Sequence, residues 1–259
     1  MDAATIISTS LQVADLAADV YKNHNKVIRF FNRVFRKPIN VLIVGESGSG
    51  KSQFLSTVQK RTEFSDSRTI VSHISTFVLP NGRRVDFYDT PGHQTLKPER
   101  TKIINEISRK KFSGIVNVVC CGYQAVEGAK VTDAFRGDEV KEDFLRENRA
   151  KELKQLQEWM PHVDKNSNIE WVLTIVNKAD IWWGDNINAL SLYADNSQYD
   201  NELRTLTKVA HVVIVPYCSV ISPFMGKPMK LLFSEKDKYA LYINLCKHLS
   251  DLIGIEWLK

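Results

Sequence analysis

The eight residues Gly45-Glu46-Ser47-Gly48-Ser49-Gly50-Lys51-Ser52 constrain this 259-residue chain more than any other stretch. They match G-x-x-x-x-G-K-[ST], a pattern with force only between a strand and a helix. Ile39–Val44 (INVLIV) upstream reads as a buried strand, and residues 53–59 downstream read as the start of a helix. The glycines accept backbone angles that other residues avoid, so successive N–H groups can turn inward around phosphate oxygens. The helix start adds its dipole and its unpaired amides. Lys51 is placed to reach β- and γ-phosphates, and the Ser52 hydroxyl to ligate Mg²⁺. Gly45, Glu46, Ser47, Gly48, Ser49, Gly50, Lys51 and Ser52 are therefore the candidate phosphate-binding set.

Composition narrows the surroundings. The chain is long enough to bury a substantial core, with 43% hydrophobic and 25% charged residues, as in ordinary globular proteins. A formal net charge of +5 does not point to nucleic acid. No apolar run reaches the length of a membrane-spanning helix, and the N-terminus lacks the continuous apolar core of a secretory signal. Cys120, Cys121, Cys218 and Cys246 lie in apolar surroundings without metal-ligand spacing. Buried free thiols in a reducing, cytoplasmic setting are expected.

Ahead of the strand, residues 1–37 read as a basic amphipathic helical extension. Val27, Phe30, Phe31, Val34 and Phe35 form an apolar stripe beside Lys22, Lys26, Arg29, Arg33, Arg36 and Lys37. Packing on the neighbouring domain or on a second copy is the favoured expectation for such a stripe, with peripheral contact to an anionic membrane as the other reading.

From residue 38 to the end, strands and helices alternate. Strands are expected at 70–79 and 84–88, joined by a turn containing Asn81-Gly82, a strong hairpin signal. Further strands are expected at 114–121, 170–176 and 209–216, and helices at 103–111, 199–208 and 234–253. Ser234 and Asp237 resemble a capping box at the start of the last helix. Residues 123–168 form a long, largely helical segment. Its charged middle, 138–160, reads as one surface helix with Phe144, Leu145, Leu153, Leu156 and Trp159 inward, and 123–137 reads as a mobile loop. Such βα alternation implies a mainly parallel sheet covered on both faces, with the early hairpin supplying one antiparallel edge strand.

Two further motifs follow strands. Asp89-Thr90-Pro91-Gly92 places an acid where it can hold Mg²⁺ through water, and the Gly92 amide where it can sense a γ-phosphate. Asn177-Lys178-Ala179-Asp180 carries base selection. The Asp180 carboxylate can accept two hydrogen bonds from the guanine N1–H and exocyclic amine. The Lys178 stem can lie over the base, and Asn177 can tie this loop to the phosphate loop. Asp180 argues against an ATP-using alternative.

These three motifs in this order resemble the P-loop GTPases of the Ras-like and translation-factor class, over most of the chain beyond the N-terminal helix. The resemblance implies a three-layer α/β Ras-like fold, binding of GTP or GDP with Mg²⁺, and slow hydrolysis coupled to two switch loops. It implies a Mg²⁺-contacting threonine, for which Thr69 is chosen over Thr62 and Thr76. It puts Cys218-Ser219 where the family has a Ser-Ala pair against the base. His93 falls where the family holds its water-positioning residue, with Gln94 as an alternative. His93, Lys51 and Thr69 are the candidate catalytic residues, and Ser52, Thr69 and Asp89 the candidate metal set. No arginine finger is identifiable, Arg136 being a speculative candidate only.

The expected protein is a stand-alone nucleotide switch whose output runs through a protein effector or self-assembly, with no nucleic-acid partner indicated. The alternative is a scaffold module that holds nucleotide and hydrolyses little. Trp182-Trp183, directly after the base-reading motif, are candidates for either an exposed docking surface or simple packing beneath the loop.

Overall fold

The computed structural model describes residues 37–61, 74–78, 83–90, 97–124, 130–165, 167–227 and 233–253. Four β-branched residues, Ile39, Val41, Ile43 and Val44, with Leu42 form the central strand β1 (Ile39–Val44). Chain order continues with α1 (Lys51–Arg61), β2 (Ile74–Val78), β3 (Arg84–Asp89), α2 (Lys97–Ile107) and β4 (Gly114–Val119). Then come α3 (Val131–Ala134), β5 (Phe135–Arg136), β6 (Glu139–Val140), α4 (Glu142–Arg149) and α5 (Lys154–Trp159). The remaining elements are β7 (Trp171–Val176), α6 (Ala179–Trp182), α7 (Asn186–Ser191), α8 (Gln198–Thr207), β8 (His211–Pro216) and α9 (Glu235–Ile253).

Six strands form one sheet in the order β2-β3-β1-β4-β7-β8, parallel throughout except for β2 at the edge. The expected hairpin and antiparallel edge are therefore present, with the turn itself outside the described residues. Because successive side chains of a strand point to opposite faces, β1 feeds two cores. Val41 and Ile43 pack with Phe54 and Leu55 of α1 and with Leu245, Leu249 and Ile253 of α9. Leu42 and Val44 pack with Ile103 and Ile107 of α2, Leu156 and Trp159 of α5, and Leu203 of α8. Helices thus cover both faces of the sheet, in three layers.

Local signals set the helix ends. The Ser197 hydroxyl accepts from the Asp200 N–H at 3.1 Å and caps α8. Before α9 the expected capping box is reciprocal: the Asp237 carboxylate accepts from the Ser234 N–H at 2.9 Å, and the Ser234 hydroxyl accepts from the Asp237 N–H at 3.3 Å. All four cysteines are free and buried, as expected.

The segment after β4 departs from expectation. In place of one surface helix over 138–160, the chain forms β6, then α4, a turn at 150–153, α5 and a 3-10 turn at Met160–His162. The break lets two sets of side chains reach different places. Phe144 joins Phe224, while Leu153, Leu156 and Trp159 pack on α2 and β1. Glu152, at the break, turns fully inward. The expected mobile loop at 123–137 is also partly structured: α3 leads into the β5–β6 hairpin, and 125–129 lie outside the described residues. The N-terminal extension, residues 1–36, lies outside them as well.

Candidate functional site: the loops at the carboxyl end of the sheet

The chain leaves β1 at the point where the sheet order reverses, with β3 on one side and β4 on the other. In open α/β sheets this is where ligands bind, beyond the carboxyl ends of the strands. Register aligns those ends. Ile43 pairs with Asp89, Val44 with Asn117, Val119 with Val176, and Val176 with Pro216. Four loops therefore start from one edge: 45–50, 89–90, 120–124 and 177–180, joined by 217–219 from β8.

Gly50 shows why the phosphate loop has its composition. Its φ is +96°, in the region that disfavours side chains, and a Cβ there would meet Asn177 Nδ2 at 2.2 Å. That close approach lets the Asn177 amide donate to the Ser49 carbonyl at 2.9 Å. On its other side, Asn177 Oδ1 accepts from both the N–H and the hydroxyl of Ser219, each at 3.2 Å. One buried side chain thus pins the 45–50 loop to the loops after β7 and β8, the tie between loops expected of Asn177.

Lys51 opens α1 and is buried, its ammonium donating to the carbonyls of Gly45 at 2.6 Å and Glu46 at 3.3 Å. Burial pulls its pKa down, and the Asp89 and Glu46 carboxylates pull it back up. The Glu46 carboxylate accepts from the Ser47 N–H at 3.0 Å. Ser52, the next residue, is exposed. Asp89 closes β3, and the Thr90 hydroxyl and N–H both donate to the Ile43 carbonyl, at 2.9 and 3.1 Å, fastening this loop to β1. Gly92, His93, Gln94, Thr62 and Thr69 lie outside the described residues. Thr76 sits within β2, where its hydroxyl donates to Asp86 at 2.7 Å. Arg136 is exposed on the β5–β6 hairpin.

The 177–180 loop is held from several sides. Lys178 adopts a left-handed φ of 60°, and its ammonium donates to the Tyr123 carbonyl at 2.5 Å. It also lies 5.8 Å from the centre of the Phe224 ring. Asp180 is buried at the start of α6, where its carboxylate accepts from the Ser222 N–H at 3.0 Å and the Cys218 thiol at 3.4 Å. Burial raises the Asp180 pKa above the ordinary carboxylate value, against the opposing pull of the Ser222 and Cys218 hydrogen bonds. Trp182 is buried and donates its indole N–H to the Asn177 carbonyl at 2.8 Å. Trp183 packs edge-on against Phe233 at 5.3 Å. Trp182 therefore packs beneath the loop, while Trp183 is only partly buried.

Several supports escaped the sequence reading. Glu152 and Tyr193 bind the 120–122 turn, and Phe224 lies under Lys178. Glu152 was hidden among alternating charges. Phe224 and Ser222 sit in a stretch without period, 40 and more residues from the motif they serve.

A Ras-like sheet with a phosphate loop at the reversal point and N-K-x-D after β7 defines a P-loop GTPase domain. Residues 40–178 match the family model described as 50S ribosome-binding GTPase, more than half of the chain, and the chain belongs to this family. A comparison with curated proteins gave no match. Among solved structures, the chain is similar to an S. thermophilus NFeoB mutant bound to mGDP (11% identity, TM-score 0.39). It is also similar to a GDP-bound NFeoB mutant of the same source (12%, 0.38) and to a GDP-bound mutant of the S. thermophilus FeoB G-domain (13%, 0.37). These matches cover 73%, 73% and 70% of this chain, and 58%, 58% and 55% of the other chains, less than two thirds of their length. The fold class rests on the strand order and the family match.

Proposed function

We propose that the protein is a guanine-nucleotide switch that binds GTP and GDP with Mg²⁺ and hydrolyses GTP to GDP and phosphate. The observation that carries this reading is the Asn177 side chain, hydrogen-bonded at once to the phosphate loop and to the Ser219 loop. Phosphate and base sites set at a fixed spacing suit one nucleotide spanning both.

The donor set fits Mg²⁺. A serine hydroxyl at Ser52 and a carboxylate at Asp89 are hard oxygen ligands, and Asp89 lies near enough to act on the charge of Lys51. Among the described residues no cluster of three acidic, His or Cys side chains could form an all-protein metal cage. Mg²⁺ binds through one or two side chains, waters and substrate phosphates. Ser52, Asp89 and, by resemblance, Thr69 would hold the ion. An ion held there would supply positive charge to offset that of the nucleotide phosphates. Lys51 releases the Gly45 and Glu46 carbonyls and turns to the phosphates. Ionised Asp180 reads the base, the Lys178 stem covers it, and the backbone at Cys218 and Ser219 approaches its O6. His93 orients the attacking water, with Gln94 next to it as the other candidate.

Multiple-turnover phosphate release by the purified protein tests the enzyme reading, with release above background expected for GTP and none for ATP. If release stays at background while guanine nucleotide binds tightly, the chain is a nucleotide-holding module instead. The output, an effector or a second copy, is open to pull-down and sedimentation with GDP against a GTP analogue. The basic extension is tested by liposome pelleting with and without residues 1–37. No described helix is long and apolar enough to cross a membrane.

A further inference from the structure

Glu152 stands at the break between α4 and α5, 2% exposed and lodged beneath the end of β4. One carboxylate oxygen accepts from the N–H groups of Cys120 and Gly122, each at 3.0 Å. The other accepts from the Tyr193 hydroxyl at 2.6 Å, and that hydroxyl accepts in turn from the Cys121 N–H at 3.0 Å. Three successive amides of one turn are thus bound by a single carboxylate and its tyrosine. Converging amides of this kind form where consecutive residues leave the usual backbone regions, and Cys121 and Gly122 have φ of 53° and 85°.

The same insert seats the turn from outside. A Cβ on Gly122 would meet the Leu145 carbonyl oxygen at 2.3 Å, so α4 lies directly on it. The Asn148 amide donates to the Gly122 carbonyl at 3.0 Å, and the Gln124 amide to the Asn148 carbonyl at 3.2 Å. What this turn presents is the Tyr123 carbonyl, which holds the Lys178 ammonium, while Val119 just before it accepts the Asn177 N–H at 2.8 Å. The Tyr123 ring packs edge-on against Phe224, the ring beside Lys178.

A buried carboxylate is costly unless its hydrogen bonds are worth more than its hydration. Burial pushes the Glu152 carboxyl above the ordinary carboxylate range, the Tyr193, Gly122 and Cys120 hydrogen bonds pull it back, and Arg149 exerts the smallest pull. Packing alone gives no reason for an acid here. Organising the turn does.

We propose that Glu152 is a positioning residue for base recognition: with Tyr193 it fixes the 120–123 turn, and through the Tyr123 carbonyl it sets Lys178 over the base. This rests on the guanine-nucleotide reading above. The test is the release rate of a fluorescent GDP analogue from the full-length protein and from Glu152→Gln and Tyr193→Phe, each of which keeps side-chain volume. Release is a property of folded, loaded molecules, so a lowered melting temperature alone does not change it.

Each variant removes a charged or charge-assisted hydrogen bond from the turn, and release about tenfold faster is expected. Leu249→Ala, a cavity on the opposite face of the sheet, lowers the melting temperature and leaves release unchanged. Wild-type-like release in both turn variants overturns the proposal while leaving the nucleotide reading intact. Equal acceleration by Leu249→Ala overturns it too, by showing that general destabilisation suffices. A wild-type protein that binds no guanine nucleotide removes the reading and the inference together.

Discussion

On the proposed reading, Asp180 sets a pH requirement on base recognition. Only the ionised carboxylate can accept from both guanine donors, yet burial raises its pKa in the free protein. Binding below that raised value must expel a proton, so GDP affinity falls as pH drops through it, by up to about tenfold per pH unit. Titration calorimetry in two buffers of different ionisation enthalpy measures both the affinity and the proton released. Folding stability has the opposite sign. Because the folded-state pKa is raised, the free protein loses stability as pH rises from the ordinary carboxylate range through the raised value. Asp180→Asn flattens that loss and removes the preference for guanine over adenine nucleotides in competition. Lys51 separates binding from stability in a similar way. Its ammonium is buried against carbonyls, and its pKa is lowered by that burial. On the proposed reading, Lys51→Met is expected to abolish nucleotide binding, while the melting temperature of the free protein moves by no more than about 4 °C, the effect of roughly 1 kcal/mol in a domain this size.

At the scale of elements, the central strands tolerate little. Gly114 opens β4 opposite Trp171 of β7, and a Cβ there would meet the indole ring at 2.2 Å. Gly114→Ala is expected to cost about 1–3 kcal/mol through overpacking, read as a lowered urea midpoint with unchanged slope. These strands were also the most legible part of the sequence. β4, β7 and β1 are buried on both faces and so appear as largely apolar runs, with the phosphate loop at the end of β1, Asn177–Asp180 at the end of β7, and the third motif at the end of β3. The insert after β4 was not legible. Residues 150–153 carry no proline or glycine to mark a break, and the side chain that turns inward there is an acid in a run of exposed charges. Helical periodicity marks apolar faces but not a polar residue drawn in by backbone amides. The Trp182-Trp183 pair failed to declare itself for a related reason: the carbonyl that takes the Trp182 indole N–H belongs to a residue five positions earlier, in the loop it supports.

The whole molecule holds its site together from five segments, and nucleotide should strengthen that assembly. A ligand bound only by the folded form, at one hundred times its dissociation constant, adds about 2.7 kcal/mol. GDP with Mg²⁺ is therefore expected to raise the melting temperature by about 5–10 °C. ADP at the same concentration should leave it unchanged, and an equal shift from both nucleotides would count against base selection by Asp180. The position of β1 has one more consequence, for the order in which the site comes into being. β1 and the phosphate loop are made before the rest of the sheet, yet β1 completes its pairing only when β3 and β4 arrive, and Asn177 gains its Ser219 partner only after β8. Contacts so distant in sequence form late and slowly. A nascent chain that stops short of Ser219 carries the phosphate-binding signature without the socket, so the first nucleotide captured reports that β8 has docked.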